Sequence, residues 1–275
     1  MMNRIVKDQD AIWSERYQGV GEDYLFGIAP NRFLERRADV LRSGRTALSV
    51  ADGEGRNSVW LAEQGLEVTA VEITAVAVAK ARKLAAGRGV KVNFEIGDML
   101  APDWPPPRQR NAFDWVVGIF IQFVGPEDRH RQMAALKRAT RPGGRILLQG
   151  YTPRQHLYRT GGPSDVENLY TPEILKALFS DWSIEELVEY EDEIVEGVGH
   201  HGRSALIGMI ARKPGLPESP CPRVARRQMS NALPFMQSGR SCGSASITEL
   251  FPTVGSKDPA TSCRAPSPTT ATDGI

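Results

Sequence analysis

The sequence predicts an α/β fold built on a doubly wound, mostly parallel sheet. Three observations carry this. A short β-compatible run, Arg45 to Val50, enters the glycine turn Asp52-Gly53-Glu54-Gly55, and a helical stretch with one apolar face, Ser58 to Gln64, leaves it with Gly65 as its stop. Strand-like and helix-like segments alternate for the next hundred residues, the pattern of a sheet wrapped by crossover helices. One segment, Phe113 to Phe120, is almost wholly apolar, as a strand covered on both faces should be.

Taken in order, the chain opens on a segment rich in aromatics: Trp13, Tyr17, Tyr24 and Phe26. Exposed aromatic clusters are costly in water, so this arm is expected to pack on the domain or to fold over its ligand site as a lid. Asn31 is placed to cap a helix in which Leu34, Ala38 and Leu41 share a face and Gly44 closes the turn. Leu66 to Glu72 reads as a second strand, Thr74 to Ala86 as an alanine- and lysine-rich helix ended by Gly87, and Val90 to Ile96 as a third strand. After the apolar fourth strand, Pro126, Glu127 and Asp128 begin a helix that ends near Lys137, Arg138 and Arg141, a charge order that suits the helix dipole. Pro142-Gly143-Gly144 turns the chain into a fifth strand, Arg145 to Gln149. Thr171-Pro172 starts another helix, and stretches around 183–191 and 204–211 are expected to pair antiparallel as a terminal hairpin.

Past Lys213 the character changes. Pro, Ser, Thr and Gly dominate, and hydrophobic residues stand singly with no period of 2 or 3.6. Such a segment cannot bury enough surface to offset its ordering entropy. The expected organisation is therefore a folded domain over residues 1–213 and a disordered, low-complexity tail over 214–275.

Composition removes several function classes. A net charge of +1 lacks the basic excess of a general nucleic-acid binder. No apolar run approaches the ~20 residues that cross a bilayer, and the first residues lack the apolar centre of a signal peptide, so a cytoplasmic protein is expected. All three cysteines, Cys221, Cys242 and Cys263, lie in the tail, which leaves the folded part without a catalytic thiol, a CxxC pair or a Cys/His metal cluster.

The chemistry concentrates at the glycine turn. A turn of this kind lets backbone N–H groups approach a ligand with no Cβ in the way. Glu72 ends the next strand nineteen residues after Gly53, where doubly wound folds place an acid on ribose hydroxyls. A nicotinamide dinucleotide fits poorly. Ser58 stands where its fingerprint wants a third glycine, and Asp52 and Glu54 in the loop would repel a pyrophosphate. Both acids suit a ligand with an ammonium and a sulfonium and no phosphate, which describes S-adenosylmethionine. Gly97-Asp98 follows the third strand, where Asp98 could accept from an adenine amino group while Met99 and Leu100 flank the ring.

From about Trp13 to Lys213 the chain resembles class I S-adenosylmethionine-dependent methyltransferases, particularly the small bacterial tellurite-resistance and thiopurine types. The resemblance rests on Trp13-Ser14-Glu15-Arg16-Tyr17, Gly27 to Asn31, Gly53 to Asn57, Val68 to Glu72, Gly97-Asp98, Phe113-Asp114, Arg141 to Gly144 and Gly161-Gly162-Pro163. Ser49 and Ala51 stand where the family usually has an acid and a further glycine. The resemblance implies a Rossmann-like, seven-stranded sheet with an antiparallel last strand, and methyl transfer to a small-molecule acceptor such as a thiol or chalcogen oxyanion. The donor site is assigned to Ala51, Asp52, Gly53, Glu54, Gly55, Glu72, Asp98 and Met99. Trp13, Tyr17, Gln122, His156 and His200 are the candidates on the acceptor side, and no catalytic group is singled out among them. No metal, nucleic-acid, membrane or obligate protein partner is expected. Two other readings stand beside this one: a non-catalytic S-adenosylmethionine-binding module and, further off, an NAD(P)-dependent oxidoreductase.

Overall fold

A computed structural model of the chain describes residues 2–42 and 44–216, with side chains from Gln9 onward. The tail expected over 214–275 lies outside these residues except for Pro214, Gly215 and Leu216.

The elements are α1 (Met2–Gly19), α2 (Arg32–Glu35), β1 (Thr46–Val50), α3 (Arg56–Glu63), β2 (Glu67–Glu72), α4 (Ala75–Arg88), β3 (Val92–Ile96), β4 (Phe113–Ile119), α5 (Pro126–Ala139), β5 (Thr140–Tyr151), α6 (Pro172–Leu178), β6 (Ser183–Glu196) and β7 (His200–Arg212). They form one seven-stranded sheet in the order β3-β2-β1-β4-β5-β7-β6. β1 to β5 run parallel, and β7 is antiparallel to both its neighbours. The predicted doubly wound fold with an antiparallel last strand is therefore the observed one. Reversal of strand order beside β1 gathers the C-terminal ends of β1 to β4 along one edge. Because Leu206 of β7 pairs with Tyr151 at the end of β5, the start of β7 reaches the same edge.

Alternation along the strands divides the core into two layers. Leu48, Val50, Val116, Ile146, Leu148 and Met209 face α5 and α6 through Met133, Leu136, Phe179 and Trp182. Ala47, Val68, Trp115, Val117, Leu147 and Ile210 face the other way, onto Phe33, Leu34, Trp60 and Leu61.

Several boundaries differ from the expected ones for local reasons. The aromatic arm is a regular helix through Gly19. Asn31 does cap α2, its side chain accepting from Phe33 N and Leu34 N, but α2 lasts only four residues before turns carry the chain to Leu41. Gly87 is helical, and α4 ends at Gly89, whose φ of 69° is the left-handed closing geometry. The terminal strands are longer than expected: β6 runs through the acidic segment to Glu196, so His200 and His201 begin a strand and the connecting turn is only 197–199.

Phe33 lies directly over Gly208 of β7. A Cβ at Gly208 would stand 2.0 Å from Phe33 Cε2, far inside contact distance. Gly208→Ala is expected to expel Phe33 from its seat and destabilise the protein by about 1–3 kcal/mol, the usual range for overpacking. The midpoint of urea unfolding measures this.

Candidate functional site

The glycine turn adopts the tight geometry its sequence calls for. Gly53 (φ 61°) and Gly55 (φ 91°) are both left-handed. A Cβ on Gly53 would stand 2.8 Å from the Tyr17 hydroxyl, and one on Gly55 would strike Ala81 at 2.7 Å. The first glycine thus lets Tyr17 of α1 pack directly on the turn, and the second lets α3 and α4 pack closely. Ala51, just before the turn, is also left-handed (φ 47°) without being glycine. Phe120, at the end of β4, is the same (φ 56°). Left-handed backbone at non-glycine residues costs on the order of 1–2 kcal/mol each and clusters at functional sites.

These residues surround a cleft at the C-terminal edge of the sheet, with an empty volume of about 950 Å³ including its mouth. That is the size of a small-molecule site. One half is built from the ends of β2 and β3: Glu72, Ile73, Gly97, Asp98, Met99 and Leu100. Gly53 N–H donates to Glu72 Oε2 and Thr74 N–H to Oε1, both at 3.0 Å. Burial raises the Glu72 carboxyl above its ordinary range, against these two bonds. Each oxygen retains a second acceptor position. Asp98 Oδ1 accepts from Leu100 N at 2.8 Å, and Oδ2 has no protein partner among the described residues. Met99 and Leu100, both 5% exposed, supply an apolar flank.

The other half, across β1, is aromatic. Trp13 and Tyr17 come from α1, Phe26 from the following turn, Phe120 and Phe123 from beyond β4, and His200 from the start of β7. The Trp13 and Tyr17 rings stack at 5.8 Å, Phe26 lies 4.5 Å from the His200 ring, and Phe120 meets His200 at 4.6 Å edge-on. The close approach of Phe26 requires Gly199, where a Cβ would stand 2.4 Å from the ring. Behind the imidazole, Glu196 Oε2 accepts from Arg56 Nη2 at 2.7 Å and lies 3.5 Å from His200 Nδ1, while Oε1 accepts from Asn31 Nδ2 at 3.0 Å. Burial pushes the Glu196 carboxyl up, but the His200 bond and the Arg56 charge outweigh it and hold the group at about 2. Burial lowers the His200 imidazole, with Glu196 opposing.

The sequence-derived candidates divide. Trp13, Tyr17, Ala51, Asp52, Gly53, Glu72, Asp98, Met99 and His200 all line the cleft. Gly55 lies behind it against α4. Glu54 points away: Oε2 accepts from Leu25 N at 2.7 Å and Oε1 from Lys80 Nζ at 2.9 Å. Asp52 reaches the wall, but its oxygens accept from Ser49 Oγ (2.6 Å) and Ser58 Oγ (2.5 Å). Neither loop acid presents a free carboxylate to a ligand, so the charge argument drawn from them does not describe the geometry. What disfavours a pyrophosphate is instead the wall itself. Arg56 is the only cationic side chain lining the cleft among the described residues, and it is paired with Glu196.

Gln122 is buried, and its amide is spent on the backbone of Tyr151 and Asn168. His156 is exposed, 3.1 Å from the Pro163 carbonyl, and does not line the cleft. Sequence reading placed Phe26 in the aromatic arm but did not single out Arg56, Phe120, Phe123 or Glu196. Glu196 was hidden in an acidic run, and the left-handed Phe120 carries no sequence signature. Among the described residues no cluster is set to hold a metal ion, and no helix is long and apolar enough to cross a membrane.

Residues 47–144 match the family model of the methyltransferase domain. The demethylmenaquinone methyltransferase of Thermus thermophilus is 30% identical over 142 residues, covering 50% of this chain and 62% of that protein. The chain spans less than two thirds of the length of the curated relatives it matches first. Among solved structures, one described for conversion of a disulfide bond into a thioacetal group during echinomycin biosynthesis aligns with a TM-score of 0.63 at 19% identity, covering 76% of this chain and 94% of that one. TehB from Haemophilus influenzae aligns at 0.53 and 21% identity, over 66% of this chain and 62% of its own. These likenesses are of fold.

The buried Arg56–Glu196–His200 cluster makes stability depend on acid. Glu196 sits at about 2 in the folded protein against an ordinary 4.5, so its contribution is complete above pH 4.5 and is lost as pH falls toward 2. His200 is also depressed below its ordinary 6.5, so protonation of the unfolded chain adds a loss in the same direction below that value. Stability measured by urea unfolding should fall continuously from neutral pH downward. In Glu196→Gln the fall below pH 4.5 should flatten. Arg56→Met, which strands Glu196 as a buried charge, should cost about 3–5 kcal/mol at neutral pH.

Proposed function

We propose that this chain, a class I S-adenosylmethionine-dependent methyltransferase by its domain over residues 47–144 and by its fold, transfers a methyl group from S-adenosylmethionine to a small-molecule acceptor. The observation that carries this reading is the Glu72 carboxylate. It is buried at the end of β2 and held by the glycine turn and Thr74, with acceptor capacity left for a ligand hydroxyl.

The residues present suit the donor. Glu72 would hold the ribose, Asp98 Oδ2 would accept from the adenine amino group, and Met99 and Leu100 would flank the ring. Gly53 lets the Tyr17 hydroxyl close on the turn, beside the place where the amino-acid end would lie. When bound, S-adenosylmethionine supplies an already activated methyl group on its sulfonium. The protein's work is then to orient the acceptor and exclude water, tasks for the aromatic half of the cleft. Lack of a free cation in the wall argues against the pyrophosphate of NAD(P), the alternative cofactor.

Calorimetry with S-adenosylhomocysteine and with NADH checks the choice: the first should bind and the second should not. Glu72→Ala should weaken binding of the first by about 1–3 kcal/mol through lost charge-assisted hydrogen bonds. Because burial raises the free Glu72 carboxyl and a hydroxyl donor favours its ionised form, affinity should also fall as pH drops below neutrality. That dependence should vanish in Glu72→Gln.

A further inference from the structure

The aromatic half of the cleft contains a ring nitrogen that the protein leaves unused, and its surroundings specify what it meets. Glu196 is ionised, held by Arg56 and Asn31, and fully an acceptor. The His200 nitrogen facing it at 3.5 Å, Nδ1, must therefore carry the ring proton. This tautomer leaves a lone pair on Nε2, which has no protein partner among the described residues, on a ring that lines the cleft. The ring is fixed on both sides, by Phe26 at 4.5 Å and Phe120 at 4.6 Å. The remaining neighbours do not compete for Nε2. They are the Tyr151 hydroxyl, which is buried without a partner, and the charges of Arg56 and Arg16, which together with burial keep the imidazole unprotonated. A positioned, neutral imidazole with a carboxylate behind it is the arrangement of a general base.

The wall around Nε2 describes the molecule whose proton it would take. Trp13, Tyr17, Phe26, Phe120 and Phe123 present ring faces and edges, with the Tyr17 hydroxyl as their one polar group unpartnered among the described residues, and no charge. Arg56 is spent on Glu196, so an oxyanion such as selenite or tellurite would find no cation. Proton affinity narrows the class further. A phenolic hydroxyl, with a pKa near 10, lies within reach of an imidazole in a concerted step, whereas an aliphatic alcohol is far more basic once ionised.

Resting on the methyl-transfer reading above, we propose that the acceptor is a neutral planar phenol and that His200 Nε2 is the base that removes its hydroxyl proton. As the phenolic oxygen forms its bond to the methyl carbon, the carbon–sulfur bond breaks with its electron pair returning to sulfur. The hydroxyl proton passes to Nε2, and the imidazolium, balanced by Glu196, releases it to water. The products are an aryl methyl ether and the neutral thioether.

The test uses a series of 4-substituted phenols, thiophenol (ionised near neutral pH) and sodium selenite as acceptors for the wild-type protein and H200Q. Phenols should be methylated. H200Q should lose about 10²-fold or more in kcat/KM on the least acidic phenols, progressively less on acidic ones and little on thiophenolate. Its affinity for S-adenosylhomocysteine should stay within about twofold. The wild-type kcat/KM should fall with acid through the His200 titration, and that limb should be absent in H200Q.

A readout independent of turnover is the ring NMR resonance of His200, assigned by replacing the exposed His130, His156 and His201 in turn. It should report a neutral ring near pH 7 and shift when phenol joins the complex with S-adenosylhomocysteine. This serves equally if H200Q does not fold. Equal phenol turnover by H200Q, turnover of selenite or thiophenolate but no phenol, or a His200 resonance indifferent to phenol would each overturn the proposal. Failure of S-adenosylhomocysteine to bind the wild-type protein would instead overturn the methyltransferase reading beneath it.

Discussion

The site depends on one buried ion pair. Arg56 opens the helix after the glycine turn, and Glu196 ends the strand before the last turn. Their side chains are only 8% and 6% exposed. Such a pair is weak evidence for stability in itself, because desolvating two charges consumes most of what their attraction returns. Its value here is geometric. Glu196 has three partners, Arg56, Asn31 and His200, each from a different part of the chain. Satisfying all three fixes the first turn of α3, the cap of α2 and the start of β7 against one another. The glycine-turn side of the cleft follows from the first of these positions, and the aromatic side from the last.

A second polar junction fixes the aromatic wall. Lys80 of α4 donates to the carbonyls of Tyr17 and Asp23 and to Glu54. Glu54 in turn accepts from Leu25 N. These bonds hold the end of α1 and the following turn over the glycine loop, and Leu25 is tied onward to the β6–β7 turn by Gly199 N–H at 2.9 Å. Acids in the loop thus accept from the protein's own groups, Asp52 from two serine hydroxyls and Glu54 from a backbone N–H and one lysine. The loop can carry two carboxylates because both are neutralised or hydrogen-bonded before any ligand arrives.

The fold was legible because its signals are local. A period of two in the strands, Asn31 and Thr171 at helix starts, and the glycine turn each act within a few residues, and they agree with one another. That Gly53, Glu72 and Asp98 line one cleft was legible for the same reason: they lie at fixed places relative to three successive strand ends. The orientation of Asp52 and Glu54 was not, because it depends on Ser58, Lys80 and Leu25, which nothing in the loop itself identifies. On the acceptor side, Gln122 and His156 looked suitable by position, yet one is consumed by the backbone of Tyr151 and the other is exposed to solvent. Glu196 looked like one of many acids in a hairpin. Its role becomes visible only when a residue 140 positions away is brought beside it.

That separation also orders the protein's assembly. During synthesis the glycine turn, Glu72 and Asp98 emerge early, and their pairings span few residues. Arg56, however, stays without its counter-ion until Glu196 appears, and Asn31 waits 165 positions for the same carboxylate. Contacts of such span are made late, after the loop-closure entropy has been overcome. The half built on the glycine turn can therefore take shape on a nascent chain well before the aromatic half has its histidine. A chain interrupted before β7 would keep the recognisable motif and lack the chamber.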